Sequence, residues 1–151
     1  MYGKGGILMI KVGIISDTHN FLREEVINEL QTCDYIIHGG DIVDKKILDK
    51  LKSISKVFVV KGNNDNLDLN KDVYFQIGSY TFYMIHELGE KKDVDFYIYG
   101  HSHQPACYNK GKTLYINPGS CGKKRFSLPL TYIILYLYED YYELTLKKCH
   151  L

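Results

Sequence analysis

Seven residues have the side chains to hold metal ions, and each falls where the pattern predicts a turn: Asp17 and His19, Asp41, Asn63, His86, His101 and His103. Imidazole and carboxylate together suit borderline divalent ions such as zinc, manganese, iron or nickel, and a carboxamide oxygen can complete a shell. Seven donors exceed what one ion needs. The set fits two ions sharing a carboxylate, an arrangement in which metals about 3.5–4 Å apart clamp the attacking and leaving oxygens of a displacement. In an extended segment the side-chain period is two, so D-x-H (Asp17, His19) and H-x-H (His101, His103) would each present both side chains on one face.

The elements that must position these residues follow from pattern. Residues 10–15 are short, β-branched and closed by the polar turn Ser16-Asp17-Thr18-His19-Asn20, which predicts a buried strand. Leu22, Val26, Ile27 and Leu30 have helical spacing and predict a helix over 21–30. Strands at 35–37 and 57–60 follow, separated by a helix over 45–52, and run into His38-Gly39-Gly40-Asp41 and Gly62-Asn63-Asn64-Asp65. Alternating strand and helix implies parallel pairing with right-handed crossovers, and ligands of such sheets gather beyond the carboxyl ends of the strands. From residue 73 onward short strands at 73–77, 80–85, 96–99, 104–109 and 112–116 read as hairpins, with two tyrosine-rich strands at 131–138 and 141–147. Gly39, Gly40, Gly62 and Gly100 read as points of sharp turning or close approach to the ions.

At 151 residues the chain fits one domain, running from Met9 to the end, with residues 1–8 read as an upstream start or a disordered extension. Hydrophobic content of 45% against 25% charged residues excludes a disordered chain. The net charge of +1 gives no general pull toward nucleic acid or anionic membrane, so any phosphate specificity must be local. No run reaches the roughly 18 apolar residues of a membrane span. Cys33, Cys107, Cys121 and Cys149 have no zinc or redox spacing and read as reduced cytoplasmic thiols.

Four ordered motifs carry a family resemblance: D-x-H at Asp17–His19, G-G-D at Gly39–Asp41, G-N-x-D at Gly62–Asp65 and G-H-S-H at Gly100–His103. The chain resembles a calcineurin-like metallophosphoesterase, most closely the short bacterial and archaeal phosphodiesterases, which also share its Asn117-Pro118-Gly119-Ser120 segment. The resemblance implies an α/β fold, a four-layer α-β-β-α sandwich of mixed sheets flanked by helices, with a dinuclear centre at its edge. It implies that Asp17, His19 and His103 hold one divalent ion, that Asn63, His86 and His101 hold the second, and that Asp41 bridges them. Manganese is the foremost choice, with nickel, iron, zinc or magnesium as alternatives. A bridging hydroxide would attack a small-molecule phosphate ester, a diester by this likeness.

Two departures stand out. Many family members have histidine where Asn64 stands, on the leaving-group side; asparagine donates a hydrogen bond but supplies no proton, which predicts a preference for activated esters. Glu87 replaces a common glycine, and only fourteen residues separate His86 from His101, which predicts an open centre. His38 and Asp65 read either as packing and turn residues or as hydrogen-bond partners of the ligands. Lys123-Lys124-Arg125 reads as a phosphate-steering rim or a solvated loop. The late tyrosines read as sheet packing or a homodimer face. The second functional reading is a metal-binding scaffold for another protein; the scaffold relatives of the family tend to lose ligands that this chain retains.

Overall fold

The computed structural model describes residues 9–122 and 128–150. Lys123-Lys124-Arg125 and residues 1–8 lie outside that range. Among the described residues, ten strands and two helices follow in the order β1 Met9–Ile15, α1 Glu24–Leu30, β2 Tyr35–His38, α2 Lys45–Ile54, β3 Lys56–Val59, β4 Asp72–Ile77, β5 Tyr80–Ile85, β6 Phe96–Ile98, β7 Ala106–Lys110, β8 Thr113–Asn117, β9 Thr131–Tyr138 and β10 Tyr142–Lys148.

Two five-stranded sheets form, ordered β10-β9-β1-β2-β3 and β4-β5-β6-β8-β7. Alternation decides which face each residue of β1 and β9 presents. Val12, Ile14, Ile133 and Leu135 turn inward to meet Phe82, Met84, Phe96, Ile98 and Ile116 of the second sheet. Ile15, Tyr132 and Ile134 turn outward, where Val26 and Leu30 of α1 and Leu48 and Leu51 of α2 cover them. Each such fully buried aliphatic side chain contributes about 1.5–3 kcal/mol. The expected sandwich of mixed sheets is what forms. Both helices lie on the first sheet, while the outer face of the second carries Tyr83, Tyr97, Tyr99 and Tyr115, with Tyr97 stacked on Tyr115 at 4.6 Å.

β1, β2 and β3 pair in parallel as expected. The later strands are less simple. β4 with β5, and β7 with β8, are antiparallel hairpins, but β6 runs parallel to both β5 and β8. The β5-to-β6 crossover is a loop and the β6-to-β8 crossover passes through β7, and the ends of β5, β6 and β8 come to one edge. Helix α1 starts three residues later than its periodicity suggests. Phe21 donates its N–H to Thr18 O, closing the turn after β1, and Arg23 stays extended at φ −69°, ψ 143°. β7 starts at Ala106, because Pro105 has no N–H to give a ladder. Asp44 caps α2 by accepting from Lys46 N–H.

All four cysteines are free thiols. Among the described residues no helix is long and apolar enough to cross a membrane. Tyr132 is buried and Tyr142 packs its ring edge on Phe96 at 5.0 Å, so these late tyrosines serve the sheets, whereas Tyr141 is exposed beside Tyr138.

Candidate metal centre

Turns from both sheets meet at one edge and are tied by backbone hydrogen bonds. Asp17 N–H donates to Gly40 O and His19 N–H to Asp41 O, so the turns after β1 and β2 continue the parallel pairing of their strands. Gly100 N–H donates to His86 O and joins the ends of β6 and β5. The two sheets interlock where His101 N–H donates to Asp17 Oδ2 at 3.1 Å and Ser120 Oγ–H to Asp17 O at 2.9 Å.

The side chains do not converge through extended backbone. Asp17, His19, Asp41, His101 and His103 all have φ between 52° and 71°. These are left-handed conformations that side-chain-bearing residues seldom adopt, each costing on the order of 1 kcal/mol. The period-two reading of D-x-H and H-x-H is thus corrected: the chain has left the strand before the first donor, and successive left-handed turns aim the side chains. Strain of this kind persists only where surrounding structure enforces it. Gly62 and Gly100 allow the enforcement, since a Cβ at Gly62 would run into the backbone N and carboxylate of Asp41, and one at Gly100 into Ser16 Oγ and Asp17. Neither has a left-handed φ, so close approach, and not turning, is what these two glycines provide.

Two compact groups of donors result, Asp17 with His19 and His103, and Asp17 with Asp41 and His86, the atoms in each lying within 4.8 Å of one another. Asp17 is fully buried, and its two oxygens differ. Oδ2 accepts from Ser16 Oγ–H at 2.7 Å and from His101 N–H. Oδ1 has no hydrogen-bond donor, yet His103 Nε2 stands 3.4 Å away and His86 Nε2 3.7 Å away. His86 Nε2 is likewise buried without a hydrogen bond and lies 3.3 Å from Asp41 Oδ2. A buried carboxylate oxygen and imidazole nitrogens aimed at a common space are costly without a cation between them. The donor set fits divalent metal.

His86 Nδ1–H donates to Gly39 O at 2.7 Å, which fixes the ring and turns Nε2 toward the carboxylates. Burial lowers the His86 pKa, but contact with Asp41 and the charge of Asp17 outweigh it, and the net shift is upward. For Asp41 burial raises the pKa, and His86 together with the Asn64 N–H donors reverses this to hold the carboxyl far below its ordinary value.

His101 and Asn63 join less tightly. The His101 ring lies 5.3 Å edge-on from His86, is exposed, and has Nε2 3.8 Å from Glu87 Oε2. Asn63 is exposed and lines a groove with His86. His19 and His103 rings are 5.6 Å apart. Residues 86–95 form no helix, so the edge is open as expected.

Asn64 is exposed but bonds to Asp41: its N–H donates to Asp41 Oδ1 at 2.9 Å and its Nδ2–H to Asp41 Oδ2 at 3.1 Å. Asp65 is buried and accepts from Gly62 N–H (2.8 Å) and Asp41 N–H (3.1 Å) on Oδ2, and from Val43 N–H (2.6 Å) on Oδ1, clamping two turns together. His38 is fully buried, accepting from Gly40 N–H at Nδ1 (3.0 Å), so its proton resides on Nε2 and is donated to Thr18 Oγ1 (2.8 Å). Burial pulls its pKa down to about 4. Sequence reasoning missed Ser16 and Ser120, which hold Asp17, and Asn117, whose Nδ2–H donates to Gly100 O. For Ser16 the signal was its place between strand and first donor; for Ser120 and Asn117 it was their place in the Asn-Pro-Gly-Ser segment.

Residues 10–140 match the family model of the calcineurin-like phosphoesterase superfamily domain. A probable metallophosphoesterase of Methanocaldococcus jannaschii is 38% identical over 135 residues, covering 77% of this chain and 69% of the relative. A phosphodiesterase of the same organism is 26% identical over 167 residues, 91% of this chain and 100% of the relative. Among solved structures, vacuolar protein sorting 29 from Cryptosporidium parvum has TM-score 0.76 at 18% identity, covering 93% and 98% of the two chains. The E. coli phosphoesterase Yfce has TM-score 0.68 at 21% identity, covering 83% and 88%. At these identities the structural likenesses speak for the fold.

Proposed function

The chain belongs to the calcineurin-like phosphoesterase superfamily, and from that premise we propose that it hydrolyses a small phosphodiester with the help of two divalent cations. The observation that carries this reading is the buried Asp17 Oδ1, facing His86 Nε2 and His103 Nε2 without a hydrogen-bond donor. Asp17, His19 and His103 would hold the first cation, Asn63, His86 and His101 would hold the second, and Asp41 would be the shared carboxylate. Asp17, common to both compact groups, is the rival for that last role. Manganese leads the choice of metal, with nickel, iron, zinc or magnesium behind it. When bound, such a pair supplies Lewis acidity toward phosphoryl oxygens and a water acidic enough to attack near neutral pH.

The chain's own residues orient the donors. Asp65 holds the Asp41 backbone, the Gly39 carbonyl holds the His86 ring, and Ser16 holds the outer oxygen of Asp17, so each donor atom is fixed before substrate arrives. One Nδ2 hydrogen of Asn64 is engaged by Asp41, the second is left to meet a leaving or phosphoryl oxygen, and with no proton to transfer the amide suits esters of acidic alcohols.

Bis(p-nitrophenyl) phosphate is the first substrate to try, with manganese added to metal-stripped protein. Turnover that rises with loading and saturates at two equivalents is expected. A second reading, a scaffold for another protein, is favoured by the likeness to vacuolar protein sorting 29, of which the Entamoeba histolytica protein has been solved with zinc. Absence of turnover in protein carrying two equivalents of metal would decide for the scaffold.

A further inference from the structure

Beside the metal-centre residues runs a groove of about 690 Å³, lined by Lys61, Gly62, Asn63, Leu69, Lys71, Ile85, His86, Glu87, Leu88 and Gly89. We propose that this groove seats the non-reacting arm of the substrate, and that the arm has a flat or apolar body carrying at least one negative charge beyond that of the scissile phosphate. The inference deepens the phosphodiesterase reading and rests on it.

Position comes first. Asn63 and His86 belong to the candidate centre and also form one wall of the groove, so an ester phosphorus held at the centre has a substituent entering it. The volume lies within the range of small-ligand sites and is ample for a nucleoside-sized group. Three aliphatic side chains, Leu69, Ile85 and Leu88, line it, and Leu88 is 45% exposed there. Apolar walls reward a ring or hydrocarbon.

Charge comes second. Lys61 and Lys71 are ten positions apart, but Lys61 N–H donates to Asn70 O at 2.8 Å, which brings the two segments side by side. Neither ammonium has a carboxylate within ion-pair distance among the described residues. Glu87, the one acid on the rim, is directed at His101 Nε2, 3.8 Å away on the metal side. The groove is therefore left with two cations bordering an apolar floor, complementary to an anionic arm.

The probes are two chromogenic diesters with the same leaving group: the p-nitrophenyl ester of thymidine 5′-phosphate, and its analogue bearing a further phosphate at the 3′ position. The manganese-loaded protein should favour the 3′-phosphorylated ester by about tenfold in kcat/KM. Lys71→Ala should erase that preference, bringing kcat/KM for the 3′-phosphorylated ester down to that of the plain ester. Equal rates on the two nucleotide esters, or a preference that survives both Lys61→Ala and Lys71→Ala, overturn the proposal. A binding measurement separates it from the catalytic reading. Titrating metal-stripped protein with thymidine 3′,5′-bisphosphate should shift the methyl NMR signals of Leu69, Ile85 and Leu88; unmoved methyl signals count against the groove. Shifted methyl signals with no hydrolysis of any diester would instead show an occupied groove beside a centre that is not a phosphodiesterase.

Discussion

At the scale of single residues, protons and hydrogen bonds do the work of preparing a metal site. His86 has its pKa raised, against the lowering effect of burial, by Asp41 and Asp17. A cation therefore competes with a proton for Nε2, and metal affinity should rise with pH, with protons released to the buffer where that nitrogen is protonated. Calorimetry in buffers of different ionisation enthalpy checks this; binding without proton release near neutral pH would contradict it. His38 behaves in the opposite sense. Its folded pKa of about 4 lies below the unfolded 6.5, so between these values the unfolded chain binds more protons and stability falls as pH falls. The metal-stripped protein should lose roughly 3 kcal/mol across that window, and His38→Gln should flatten the acid limb of its melting temperature against pH. Asn64 gives a third test. Aryl diesters should be hydrolysed far faster than alkyl ones, and Asn64→His should narrow the gap by about 10²-fold or more by restoring an acid. Equal aryl and alkyl rates in the native protein would remove that role.

At the scale of elements, the strand ends were legible because each motif follows a short apolar run, and that run is what pairing in a sheet requires. The β1, β2 and β3 turns were placed correctly for this reason. What was not legible was backbone hand. Asp and His tolerate the left-handed region better than most residues, but their types alone do not fix φ above 50° at Asp17, His19, Asp41, His101 or His103, since the conformation is imposed by hydrogen bonds between turns far apart in sequence. The parallel partners of β6 were hidden for a different reason, its three residues being too few to show any period. Gly62→Ala tests the imposed geometry. Its Cβ would press on Asp41, and metal affinity should drop by about 10–100-fold, as for loss of an outer hydrogen bond, in a protein that still folds. Asp65→Ala should lose at least as much affinity, and about 2 kcal/mol of stability besides, because it leaves three backbone N–H groups without their acceptor.

At the scale of the whole molecule, the two sheets are more than a shared core. The first supplies Asp17, His19, Asp41 and, beyond β3, Asn63; the second supplies His86, His101 and His103. The centre can form only when the sandwich has closed, so cation binding and sheet packing stabilise each other. The measurement that bears most directly on this is anomalous diffraction from manganese-loaded crystals. Two peaks about 3.5–4 Å apart are expected at the junction of the sheets, with a carboxylate between them and the histidines divided as His19 and His103 against His86 and His101. A single peak, or peaks remote from Asp17 and Asp41, would contradict the account.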